Sequence, residues 1–177
     1  MRLQHECDTC EVIHSDAIFD LDHRYRYSLT RCWDSKGSRM VFLMLNPSTA
    51  DAHQNDPTIT RCMNFSRRWG FGSLEVVNLF AYRSTDPGML SVVDDPIGPE
   101  NDAYILNAIT RSELVVLAWG TKGVLRQRDQ EVLNLISDHE LYALEISKYG
   151  HPKHPLYLRS EVWPTRFRMD DSTLVFR

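Results

Sequence analysis

Short apolar runs alternate with polar, turn-rich stretches along the chain, and four of these runs are typical of buried β-strands. They occupy residues 40–45, 74–81, 113–118 and 141–146. A largely uninterrupted apolar run of this length indicates a strand that is covered on both faces, as in a parallel sheet. Residues 16–33 instead alternate apolar and polar positions, which is typical of antiparallel strands. We therefore expect a mostly parallel four-stranded sheet, with the 40–45 strand innermost and antiparallel strands added by residues 16–33.

Helical patterns fill the stretches between these strands. The first is predicted over 58–69, with Asp56 as its N-cap, Pro57 at the first helical position and Gly70 at its end. A second is predicted over 103–111 after Asn101 and Asp102, and a third over 124–137. Strands that alternate with helices predict a three-layer α/β/α domain. The third helix is expected to bury Val124, Leu125, Val132, Leu133 and Ile136.

Two further segments have no place in this alternation. Residues 86–99 form a loop rich in Asp, Pro and Gly, which is long enough for a lid or a binding loop. The end of the chain, residues 172–177, is expected to add an edge strand.

The composition is that of a single soluble domain. The chain has 177 residues, of which 42% are hydrophobic and 25% charged, so we expect a flexible segment over 1–15 and one domain over 16–177. No apolar run approaches the roughly 20 residues of a membrane helix, and the first residues lack the apolar core of a signal peptide. These features predict a cytoplasmic protein with no membrane association. The oligomeric state is not predicted.

Charge and cysteine content narrow the candidate partners. The net charge of −4 does not indicate an extended basic surface for nucleic acid, although a local patch can differ from the total. Cys7 and Cys10 have the spacing of one half of a zinc site, but Cys32 and Cys62 do not supply the other half. We expect free thiols and no bound metal or cofactor, and zinc at Cys7 and Cys10 stays an open alternative.

Polar residues follow each of the four buried strands. The carboxyl ends of parallel strands lie at one edge of the sheet, where ligands of open α/β folds bind. The segments that meet there are 46–48, 78–83, 119–120 and 151–154. The alternative for the first segment is an ordinary turn with a helix cap. Because four polar strand ends converge, we expect a binding site at this edge.

The side chains at this edge include candidates for catalysis. Asn46 can position a water molecule or hold a base edge, but its amide cannot act as a general base. Asp51 and Asp56 can activate water, and His154 can donate a hydrogen bond to a developing anion. Asp56 has an alternative role as an N-cap. We expect Asn46, Asp51 and His154 to be the catalytic residues.

Other side chains at this edge are candidates for substrate binding. Arg61 and Arg83 can bind phosphate or carboxylate in bidentate fashion, whereas Phe80 and Trp119 can stack on a flat ligand. The alternatives are that Arg61 pairs with Asp56 along the helix and that Trp119 belongs to the core. The complete predicted binding set is Pro47, Ser48, Asp56, Arg61, Asn78, Phe80, Arg83, Asn101, Trp119 and Gly120.

Several motifs together resemble the DUF1643 family. They are Asn46 to Asp51, Asp56-Pro57-Thr58, Val77 to Ala81, Gly98 to Asp102, Ala118-Trp119-Gly120 and His154 to Tyr157. The resemblance extends over about residues 16–160. This family name implies no established activity.

The order of motifs is also similar, more loosely, to the mismatch-specific branch of the uracil-DNA glycosylase superfamily. Leu45 to Ser48 resembles its Gly-Ile-Asn-Pro-Gly signature, and His154-Pro155-Leu156 resembles its later Asn-Pro-Ser or His-Pro-Ser loop. The chain departs from that pattern at three positions, which are Met44, Ser48 and Leu156. The resemblance implies a uracil-DNA-glycosylase-like fold.

The same resemblance implies hydrolysis of an N-glycosidic bond in a modified or damaged base or nucleoside. Asn46 would orient the attacking water, Asn78 would read a base edge and His154 would stabilise the departing base. The alternatives are a non-catalytic module that binds a nucleotide or nucleic acid, and a metal-dependent phosphoester hydrolase that uses Asp51, Asp56 and His154.

Overall fold

A computed structural model, which describes residues 11–168, has a mixed α/β fold with a seven-stranded mixed sheet. The strands lie in the order β1-β2-β4-β3-β5-β6-β7. β4, β3, β5 and β6 are parallel, whereas β1, β2 and β7 are antiparallel to their neighbours. The parallel core and the antiparallel N-terminal strands were both predicted. The strands are β1 (His14–Phe19), β2 (Arg26–Cys32), β3 (Arg39–Met44), β4 (Ser73–Asn78), β5 (Leu114–Leu117), β6 (Leu141–Ala143) and β7 (Thr165–Arg166).

Helices pack against both faces of the sheet, because side chains alternate across each buried strand. On β3, Phe42 faces the cluster formed with α1 (Pro57–Arg68). Its neighbour Leu43 faces the cluster formed with α2 (Asn101–Thr110) and α3 (Arg128–Leu135). Both side chains are fully buried. The apolar run of this strand therefore contributes to two separate cores.

The start of α1 positions the functional edge of the sheet. Asp56 is its N-cap and accepts a hydrogen bond from the Ile59 N–H at 2.8 Å, and Pro57 is the first helical residue. Such a cap satisfies a backbone donor that the helix cannot pair internally. Gly70 follows the helix with a φ of 84°, which glycine adopts without steric cost. The predicted signals for this helix are confirmed.

The prediction that the third helix begins at Val124 was wrong. Residues Thr121–Gln127 form a short 3₁₀ segment with a kink, and the α-helix begins only at Arg128. Arg126 and Gln127 have left-handed φ values of 55° and 58°, which interrupt the helical hydrogen bonds. Val124 is therefore half exposed rather than buried.

Other boundaries of helices and strands differ from the predicted ones by a few residues. α2 begins at Asn101, which was expected to precede the helix but lies in its first turn with the side chain buried against the sheet. β6 is shorter than predicted and ends at Ala143, after which Ile146 makes one isolated bridge to Pro152. The predicted edge strand at 172–177 lies outside the described residues.

None of the helices between residues 11 and 168 is long and apolar enough to cross a membrane. Cys32 and Cys62 are free thiols. Cys7 and Cys10, the proposed half of a zinc site, lie outside the described residues. Within residues 11–168 no three His, Cys, Asp or Glu side chains are grouped so that they could hold a metal ion.

Candidate functional site

A cavity of about 180 Å³ lies where β3 and β4 end against the N-terminus of α1. We call it the inner cavity. Its size is below the roughly 300–1,000 Å³ of pockets for drug-sized ligands, so it can enclose one ring or a small polar group. Its polar lining residues are Arg26, Asn46, Ser48, Asp56, Thr58, Asn78, Ser84, Thr85, Trp119 and His154.

The amide of Asn46 is held in one orientation. Its Nδ2 donates to the carbonyl of Pro47 at 3.0 Å and to the carbonyl of Ser84 at 2.9 Å. Both amide hydrogens are therefore used by the backbone. The side-chain oxygen accepts no hydrogen bond from residues 11–168, which leaves it as the acceptor that can hold a water or a ligand. Pro47 is buried, and its carbonyl accepts a second hydrogen bond from the Ser84 N–H at 2.9 Å.

Within residues 11–168, Asn78 has a buried unpaired donor in the wall of the inner cavity, as do Arg26 at Nε and Trp119 at Nε1. Its side chain is at the end of β4, next to the end of β3, and only 1% of the residue is exposed. Its Nδ2 has no hydrogen-bond partner in the described part of the chain. A buried donor without a partner costs about 1–3 kcal/mol. Such a group in a cavity wall is explained by a water or ligand that pairs with it.

Asp56 and His154 face the inner cavity from two different loops. One carboxylate oxygen of Asp56 caps α1, and Asp56 is the only carboxylate in the described lining. The Nδ1 of His154 accepts from the Leu156 N–H at 3.3 Å, so a neutral imidazole carries its proton on Nε2. Burial lowers the pKa of His154, and the charge of Asp56 partly opposes this shift. His154 is accordingly neutral at pH 7 and can donate from Nε2.

Arg26 contributes a buried positive charge that the sequence did not reveal. It begins β2, is 2% exposed and donates from Nη1 to the Ala50 carbonyl at 2.8 Å. Burial lowers the pKa of Arg26 to about 10, and Asp56 opposes this shift. In the sequence, Arg24 and Arg26 read as an ordinary exposed cluster. The only signal was a charged residue at the start of a strand that is otherwise buried.

A larger cavity of about 590 Å³, which we call the outer cavity, adjoins the inner one. The two share four lining residues, including Trp119 and His154. Gly120 lines the outer cavity with a φ of 74°, and its N–H donates to the Pro152 carbonyl at 2.8 Å. The remaining polar lining residues of the outer cavity are Thr121, Lys122, Ser147, His151, Lys153 and Tyr157.

The structure brings together one predicted residue from each strand end, namely Asn46, Asn78, Trp119 and His154. Asp51 lines neither cavity. Its carboxylate accepts the N–H groups of His53 and Gln54 at 2.8 Å each, which holds a turn and lowers its pKa. The structure therefore does not group Asp51 with Asp56 and His154.

Five predicted binding residues also lie outside both cavities, namely Pro47, Arg61, Phe80, Arg83 and Asn101. Arg61 stacks on Phe65 and donates to the Leu158 carbonyl. Arg83 stacks on Phe19 and donates to the His23 carbonyl at 3.2 Å. These arginines fasten loops instead of facing the cavities.

Phe80 and Asn101 are core residues. Phe80 is fully buried in the cluster of α2 and α3. The Nδ2 of Asn101 donates to the carbonyls of Asn78 and Leu79 at 2.9 and 3.0 Å, which fixes α2 to the end of β4. Neither side chain contacts the cavity directly, and Asn101 supports the segment that carries Asn78.

Fold and cavity together define an α/β protein with a polar pocket at the carboxyl edge of its parallel strands. The model of DUF1643, a family of proteins of unknown function, matches residues 26–156, and the chain belongs to that family. Comparison with curated proteins and with solved structures found no match. The looser resemblance to uracil-DNA glycosylases is not supported by these comparisons.

Proposed function

We propose that this protein hydrolyses the N-glycosidic bond between a modified or damaged nucleobase and its sugar, with the base in the inner cavity. The observation that carries the proposal is the amide of Asn78, buried in the cavity wall without a partner. An Asn side chain offers a donor and an acceptor side by side, and this pair matches the edge of a nucleobase. The proposal includes the uracil-DNA-glycosylase-like layering of the fold that the motif order implies.

The reaction assigns roles to Asn46, Asp56 and His154. The oxygen of Asn46, whose amide hydrogens are both taken by backbone carbonyls, orients a water molecule towards the sugar carbon. Asp56 takes the place of Asp51 as the carboxylate that accepts the proton of this water, because it is the carboxylate at the cavity. The new C–O bond forms as the C–N bond breaks, and the base departs with the bonding electrons.

His154 stabilises the departing base. Its neutral imidazole donates from Nε2 to the negative charge that develops on the base. The lowered pKa of His154 favours this neutral donor, so that no second buried cation is placed beside Arg26. The released base then takes up the proton that Asp56 received.

A base-release assay tests the proposal. The substrates are nucleosides, nucleotides, RNA, and single- and double-stranded DNA that carry uracil, mismatched or modified bases, each with and without chelator. We expect one substrate to release its base, and Asn78→Ala to lower its kcat/KM by about 5- to 150-fold, as expected for a lost base contact of about 1–3 kcal/mol. Asn107→Ala, a change at an exposed asparagine on α2, is the control and should leave the rate unchanged.

Two results contradict the proposal. The first is no base release across the panel with a folded protein, and saturable binding in that case identifies a binding module. The second is base release that Asn78→Ala leaves unchanged.

A further inference from the structure

The lining of the outer cavity is cationic in a chain that is acidic overall. The chain has 24 acidic and 20 basic residues. Nevertheless, no carboxylate between residues 11 and 168 lines the outer cavity, whereas Lys122 and Lys153 do. His151 and His154 also line it and add hydrogen-bonding groups. Such a wall selects an anionic group.

Lys122 carries the unneutralised charge. Lys153 is paired with the carboxylate of Glu145 at 2.8 Å, which offsets its charge. Lys122 forms no ion pair with any residue from 11 to 168, and its side chain is exposed at the cavity. An ammonium group in this position can donate up to three hydrogen bonds to a phosphate.

The two cavities are adjacent, because Leu45, Pro87, Trp119 and His154 belong to both walls. A two-part ligand that passes these residues would place one part in each cavity. The inner cavity, at about 180 Å³, has room for one flat ring. The outer cavity, at about 590 Å³, has the size of a small-molecule pocket, about 300–1,000 Å³.

We infer that the substrate is a free nucleoside 5′-phosphate, whose base enters the inner cavity and whose phosphate binds Lys122 in the outer cavity. This inference rests on the proposed function and adds the substrate class. A phosphodiester of a nucleic-acid strand has the same phosphate chemistry. The free nucleotide is favoured because a strand requires a track of several basic residues, whereas Lys122 is the one lysine of the described cavity lining without an ion-pair partner among residues 11–168.

Equilibrium binding tests the phosphate subsite without any need for catalysis. Titration calorimetry with ribose 5-phosphate and with ribose compares the same sugar with and without the phosphate. We expect the wild-type protein to bind ribose 5-phosphate but not ribose. Lys122→Gln should weaken this binding about tenfold or more, and Lys122→Arg should keep most of it. Lys148→Gln, which removes an exposed lysine that lines neither cavity, is the matched control and should have no effect.

Base-release rates separate the two proposals. Release that is faster from nucleoside 5′-phosphates than from nucleosides, with the advantage lost in Lys122→Gln, supports both. Binding of ribose 5-phosphate that depends on Lys122, without base release from any substrate, supports the phosphate subsite and contradicts the glycosidic reaction. Equal release from nucleosides and nucleotides without ribose 5-phosphate binding overturns the subsite and leaves the reaction standing. Release only from oligonucleotides, or binding that Lys122→Gln does not weaken, also overturns the inference.

Discussion

Two buried asparagines provide a direct test of whether the inner cavity is built for a ligand. Asn78 and Asn101 are 1% and 0% exposed and lie side by side at the end of β4. The Nδ2 of Asn101 donates two hydrogen bonds to backbone carbonyls, whereas the Nδ2 of Asn78 has no partner in the described residues. The same substitution to alanine should therefore have opposite consequences for stability and for binding.

The expected magnitudes follow from the hydrogen bonds that each substitution removes. Asn101→Ala leaves the Asn78 carbonyl without this donor, while the Leu79 carbonyl keeps a second donor in Arg128 at 3.0 Å. We expect a loss of about 1–3 kcal/mol of unfolding free energy. For a domain of this size that loss lowers Tm by about 2–4 °C per kcal/mol. Asn78→Ala removes no hydrogen bond made by Nδ2 within residues 11–168 and relieves a buried unpaired donor that costs about 1–3 kcal/mol, so it should not lower the unfolding free energy of the ligand-free protein.

Denaturant unfolding and thermal melting of the two variants make the comparison. Ligand affinity, measured with the substrate that the base-release assay identifies, should fall in Asn78→Ala. In Asn101→Ala affinity should fall less, provided that the protein is kept below its Tm. The reasoning is refuted if Asn78→Ala destabilises the protein as much as Asn101→Ala does, because Asn78 would then have a structural role.

Three further predictions concern single side chains. Asp56→Asn should keep the N-cap of α1 and abolish base release, whereas Asp56→Ala should also lower the free energy of unfolding by about 1 kcal/mol. Melting curves measure the capping role and rate assays measure the catalytic role. Burial lowers the folded-state pKa of His154 below the usual 6.5. Between the folded and the unfolded pKa the unfolded chain therefore binds more protons, and the free energy of unfolding falls as the pH falls through this interval. Urea unfolding at about pH 7.5 and 5.5 should show a larger loss for the wild type than for His154→Asn, whose amide oxygen preserves the cap on Leu156. Cys62 is fully buried with a raised pKa, so iodoacetamide should label it only after unfolding; labelling of the native protein, read by peptide mapping, contradicts this burial.

The sheet could be predicted because its buried strands are short runs of apolar residues in the sequence. A run such as 40–45 is apolar at every position, and in the fold it contributes side chains to cores on both faces of β3. The start of α1 could also be predicted from Asp56 and Pro57, because both residues favour a helix start through local geometry. The kink before α3 could not be predicted, because Arg126 and Gln127 have no intrinsic preference for the left-handed φ that the fold imposes on them.

The candidate site was predictable only in part. The rule that parallel strands end at one edge correctly placed Asn46, Asn78, Trp119 and His154 near one another. It could not distinguish Asp51 from Asp56, because the two carboxylates are five residues apart in one loop and only the turn at 51–54 decides which of them faces the cavity. Arg26 was missed because a buried arginine looks the same in sequence as an exposed one.

The charges of the two cavities suit the two parts of the proposed ligand. In the inner cavity the buried cation of Arg26 lies near the anion of Asp56, which opposes the lowering of the Arg26 pKa. Asp56 partly offsets this buried positive charge, and the lining is otherwise made of uncharged polar and apolar side chains that suit a ring. In the outer cavity Lys122 has no ion-pair partner among the described residues, so its charge is available to an anion. A nucleoside 5′-phosphate has this distribution of charge, with a neutral base at one end and a phosphate at the other.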